Sequence, residues 1–142
     1  MAPGFNFGRQ ALAYILGYGG RREESLAELR THYQIVEDRQ ALDALDQGES
    51  VGGYAGAMKA VADDLAELSR SSWVHSFDVF TLYDLAGEVE QSLDWLERAY
   101  EVRDPDLQYL GALWLSGELR SEPGYLDLLR RMDLHDVRHS AG

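Results

Sequence analysis

The residues with the most obvious chemical potential are His135 and His139, four apart in His-Asp-Val-Arg-His, a spacing that puts both on one face of a helix. Two imidazoles so placed are half of a zinc site, and the pattern echoes the zinc-protease motif. Aspartate stands at 136 where that chemistry needs the longer glutamate, no third ligand is evident, and the pair falls in the terminal stretch where chains fray. No metal site is expected. His32 and His75 fall on or beside predicted helices with no cysteine nearby, and read as capping or surface residues. The carboxylates Asp63, Asp64 and Glu67 fall on the polar side of a predicted helix, opposite Met58 and Leu65, where water keeps them ionised and ordinary. Gly48, Gly52, Gly53 and Gly56 suggest a phosphate cradle, but no Gly-Lys-Ser/Thr follows and no strand precedes. With no Gly-x-Ser-x-Gly elbow either, the sequence predicts no catalytic residue and no cofactor.

The elements that position these residues are helical. Apolar periodicity places helices at about 5–18, 22–37, 39–47, 52–70, 75–86, 89–103 and 123–133. Leu26, Leu29, Tyr33 and Val36 recur at three- and four-residue steps, as do Tyr54, Met58, Val61, Leu65 and Leu68, and Val89, Leu93, Leu96 and Tyr100. Such one-sided helices each need a neighbour. Gly19-Gly20 and Gly87 can take the positive φ that ends a helix, and Asp104-Pro105 stops another. Connections this short force consecutive helices antiparallel. Glu23, Glu24, Glu88 and Glu90 lie where carboxylates favour a helix dipole. The run Asp46-Gln-Gly-Glu-Ser-Val-Gly-Gly53 predicts a short third helix and a mobile loop near 47–53.

A chain of 142 residues that is 45% hydrophobic can bury a real core, and it reads as a single all-α domain. There is no cysteine, which removes disulfides and thiolate metal sites and fits a reducing cytoplasm. Met1 to Gln10 lacks the basic and apolar segments of a signal peptide, and no apolar run approaches the roughly 18 residues of a membrane span. The expectation is a soluble, cytoplasmic protein. The net charge of −12 is concentrated in residues 37–106, which carry five basic and seventeen acidic side chains. That surface repels nucleic acid and favours a basic partner, or simple solubility.

Residues 13–26, Ala-Tyr-Ile-Leu-Gly-Tyr-Gly-Gly-Arg-Arg-Glu-Glu-Ser-Leu, return 67 positions later as Phe-Thr-Leu-Tyr-Asp-Leu-Ala-Gly-Glu-Val-Glu-Gln-Ser-Leu at 80–93 (20 to 87, 25 to 92). That offset is close to two units of the roughly 34-residue tetratricopeptide repeat. The segment from Phe80 to Leu134, with its Ala-Gly-Glu-Val-Glu-Gln-Ser-Leu-Asp-Trp-Leu-Glu-Arg-Ala-Tyr core, resembles the C-terminal end of bacterial tetratricopeptide arrays in signalling and transcriptional regulators. The resemblance implies a short right-handed superhelix of hairpins at about 5–37, 39–70 and 75–103, with a capping segment at 105–134 and a tail at 135–142. It also implies that the inner helix of each hairpin lines a concave face receiving Phe7, Gln10, Tyr14 and Tyr18 from the first unit and Phe77, Thr81 and Asp84 from the third. Phe80 departs from the pattern, standing where a small residue normally lets helices approach, so looser or rearranged packing is expected there.

Function in such an array is the holding of a protein or peptide. A small-ligand sensor with a tyrosine-lined pocket is the alternative, and self-association through Tyr125 and Leu129 a third possibility. Trp73, Trp95 and Trp114 read as structural wedges, with Trp95 turned away from its helix's apolar stripe.

Overall fold

The computed structural model describes residues 3–102 and 123–131, with side chains from residue 9 onward and at part of the last segment. Among these the chain is entirely helical: α1 (Pro3–Tyr18), α2 (Arg22–Ile35), α3 (Arg39–Leu68), α4 (Ser76–Ala86), α5 (Val89–Glu101) and α6 (Pro123–Arg131). The expectations attached to Trp114, Asp104-Pro105, His135 and His139, and to the side chains of Phe7, Tyr125 and Leu129, lie outside the described residues. No helix among the described residues is long and apolar enough to cross a membrane.

Three reversals share one hydrogen-bond pattern. After α1, Gly20 N–H donates to the Gly17 carbonyl and Arg21 N–H to Leu16; after α4, Gly87 donates to Asp84 and Glu88 to Tyr83. These are helix ends closed by a left-handed residue, with φ of 83° at Gly20 and 82° at Gly87, as the punctuation predicts. The end of α2 uses the same pair of bonds, from Glu37 to Gln34 and from Asp38 to Tyr33, with Glu37 at φ 58° doing what glycine does elsewhere. Asp38 then caps α3, its carboxylate accepting from Ala41 N–H at 3.1 Å. The turns bring α1 onto α2 and α4 onto α5.

The middle of the chain departs from expectation. Instead of a short helix and a loop over 47–53, helix continues to Val51 and the chain reverses at Gly52 (φ −135°, ψ 17°) and Gly53 (φ 66°, ψ −145°). Gly53 sits in a region open essentially to glycine alone. In a straight helix Gly48 and Gly56 would stand about 12 Å apart. Here a methyl group built on Gly48 would collide with the Gly56 carbonyl oxygen and with Ala60 Cβ. The two limbs of α3 therefore fold back on each other as a hairpin, backbone against backbone. What reads in sequence as looseness is close packing between residues that lack side chains.

The core runs through all three hairpins, and its largest fully buried side chains are Phe80, Leu29, Leu45, Met58, Leu82, Leu96, Val61 and Val79. Phe80 is among them, its ring 5.3 Å from that of Phe77. Trp95 is buried, with the Arg98 guanidinium over its ring. Trp73 is no wedge: it is 82% exposed in the segment between α3 and α4. His32 is buried, against the expectation of a surface residue, and packs edge-on to Tyr33.

Because the limbs of α3 touch through backbone, Gly48→Ala should lower the unfolding free energy by about 1–3 kcal/mol. Gly52→Ala, which faces open space at a permitted φ, should change it by less than about 0.5 kcal/mol. Urea unfolding of the two variants measures the difference.

Candidate functional site

The structure brings together the two helices expected to form the inner wall, and closes them on each other. Tyr14 on α1 donates to Asp78 Oδ1 on α4 at 3.3 Å and itself accepts from Gln10 Nε2 at 2.9 Å. One turn further, Tyr18 donates to Asp84 Oδ2 at 2.7 Å. Phe77 packs into the core, and Thr81 turns its hydroxyl onto the Phe77 carbonyl at 2.8 Å, as a helical threonine does when it has no outside partner. Tyr14, Phe77, Thr81 and Asp84 are all less than a tenth exposed. The expectation of an open wall is corrected for these four, because α1 lies directly against α4. Gln10 and Tyr18 are half-buried, and the side chain of Phe7 lies outside the described residues.

The same chemistry ties the remaining helices. Ser25 donates to the Ala13 carbonyl at 2.6 Å and meets the Tyr54 hydroxyl at 2.9 Å, joining α1, α2 and the second limb of α3. Gly17 sits where these elements and Leu85 converge, and a methyl group there would strike the Tyr54 hydroxyl. Tyr83 donates to Asp63 at 2.6 Å, and Lys59 holds the other oxygen of Asp63 at 2.8 Å. Asp63 is therefore a bonded anchor at the surface and not a merely solvated carboxylate. Burial raises the pKa of Tyr14, with the charge of Asp78 adding to it. It does the same for Tyr33, helped by Asp78, Asp38 and Asp64, and for Tyr83, helped by Asp63. Asp64 is also raised, first by burial and then by the charge of Asp38. Of these partners, sequence reading missed Asp78, Tyr54 and Tyr83. A carboxylate inside the apolar run Phe77-Asp-Val-Phe80 is the signal that could have found Asp78.

Accessible surface lies on the outside of the α3 hairpin. A cleft of about 440 Å³ opens there, floored by Gly48, Gly56 and Ala60, edged by Val51, and reaching Asp63 and Glu88 at the turn between α4 and α5. Val51 is 90% exposed. Lys59 neutralises Asp63, whereas Glu88 makes no ion pair among the described residues. The floor is apolar because it is made of glycine and alanine, and the rim carries Lys59, Asp63 and Glu88. No group of three or more histidine, aspartate or glutamate side chains among the described residues could hold a metal ion. In comparisons with known proteins, no protein-family model, curated protein or solved structure matches this chain.

The buried tyrosines set an alkaline limit on stability. A phenol whose folded pKa exceeds its unfolded value near 10 contributes stability that is complete below about pH 10 and is lost as pH rises through the folded value. Helical circular dichroism should hold steady to about pH 10 and then fall cooperatively, with tyrosinate absorbance rising over the same interval. Tyrosinate appearing well before the helices melt would contradict the burial. Tyr18→Phe, which removes a hydrogen bond to a carboxylate, should lower unfolding free energy by about 1.5–3 kcal/mol in urea titrations.

Proposed function

We propose that this chain is a protein-interaction module, built as a short tetratricopeptide-like stack, which receives a partner segment in the cleft on the outer side of the α3 hairpin. The repeat reading is supported by a shared contact. Ser25 rests on Ala13 in the first hairpin, and Ala60 rests on Gly48 in the middle one, each pair twelve residues apart (13 to 25, 48 to 60). Ser92 and Phe80 occupy the corresponding positions of the third hairpin and are both fully buried. Small residues at those places in the first two hairpins let paired helices approach, and the third has Phe80 where the others have alanine and glycine.

The observation that carries the interaction reading is the combination of a small-residue floor, a valine left 90% exposed at its edge, and on its rim Glu88, which makes no ion pair among the described residues. An exposed valine beside a cleft loses apolar surface to water unless something covers it. The occupant that fits is a peptide segment placing one apolar side chain on the glycine and alanine floor and one basic side chain against Glu88, in keeping with the acidic excess of residues 37–106. The inner wall contributes rigidity in this reading, since its tyrosines are already bonded to aspartates.

Affinity capture with mass spectrometry, run in parallel on the native chain and on Val51→Asp and Ala55→Arg variants, tests it. At least one protein should be retained by the native chain and lost about tenfold or more from both variants, while thermal melts of all three coincide. Identical captured sets would overturn the placement of the interface at this cleft.

A further inference from the structure

α1 carries a single charged side chain, Arg9, which pairs with Glu28 of α2 at 2.8 Å. Gln10, Tyr14 and Tyr18 are bonded along the side that faces α4, and Ala13 is fully buried. The opposite side of the helix is apolar as well. Leu12 is 44% exposed and Ile15 60%, Ala11 and Leu16 are half-buried beside them, and Gly19 continues the row just past the helix end. A helix that is apolar all round belongs between two neighbours, and the end unit of a helical stack ordinarily turns a polar face to water. Among the described residues α1 has packing neighbours on one side only.

We propose that this outer face of α1 seats the same face of a second copy of the chain, the two helices lying antiparallel about a two-fold axis that passes between residues 13 and 14. Charge points to that occupant. Residues 1–36 hold four of the thirteen basic and three of the twenty-five acidic side chains, so the first hairpin is near neutral while the rest of the chain is strongly negative. Two copies meeting through residues 37–106 would set like charges together, and meeting through α1 keeps those regions apart. The spacing is also self-complementary, as an isologous contact requires. With the axis between 13 and 14, Leu12 of one copy meets Ile15 of the other, and Ala11 meets Leu16. The face shares no residue with the cleft at Val51, so it stands or falls separately from the interface proposed there.

Sedimentation of the full chain at concentrations from about 1 µM to about 1 mM should show a monomer passing reversibly into a dimer. Leu12→Lys and Ile15→Glu, both at exposed positions, should each weaken the dimer about tenfold or more, with helical circular dichroism unchanged. Mixed in equal amounts, the two variants should recover it. The mixed pair sets the new ammonium against the new carboxylate at one contact and keeps leucine against isoleucine at the other. A monomer at the highest concentration would overturn the proposal and leave this face to a different protein, and a dimer that both variants leave intact would place self-association elsewhere on the molecule. A mixture that stays monomeric would exclude the antiparallel two-fold contact on which the proposal rests.

Discussion

Hydrogen bonding between buried phenols and carboxylates is the constraint on which the rest of this structure depends. Tyr14 with Asp78 and Tyr18 with Asp84 fasten α1 to α4, Tyr83 with Asp63 fastens α4 to the second limb of α3, and Tyr54 with Ser25 fastens that limb to α2. A tyrosine buries a large apolar ring but must find a partner for its hydroxyl, so each ring can sit in only a few places. Several such requirements met together select one arrangement of helices from the many that apolar stripes alone permit.

Closure has a consequence for function. In a stack whose units touch only their neighbours, the inner helices leave a groove. Here the first and third hairpins meet directly through α1 and α4, and the aromatic residues that would have lined a groove become the fastening instead. The cleft described above lies where the backbone of α3 turns back at Gly52 and Gly53.

The turn signals were legible because they act locally. Gly20 and Gly87 take the left-handed conformation that the sequence predicts, and the helices flanking them begin and end close to the expected residues. At 47–53 the glycine-rich run predicts a loop, and the chain there is helical up to Val51. Low helix propensity was outweighed by the backbone contact of Gly48 with Gly56, a contact that no local rule contains. Trp73 departs from the expected wedge, and Trp95 keeps that role, for a similar reason, since bulk alone does not say which ring meets a neighbour and which meets water.

The sequence by itself determined that the chain is helical, where most of its helices begin and end, and that its middle is strongly acidic, because periodicity, capping and charge are properties of neighbours along the chain. Only the tertiary structure decided that α1 lies on α4, that Tyr14, Thr81 and Asp84 are interior, and that the Tyr33 hydroxyl is buried without a hydrogen-bond partner among the described residues. Those outcomes depend on distances between residues far apart in sequence, and packing fixes such distances only once every helix has found its place.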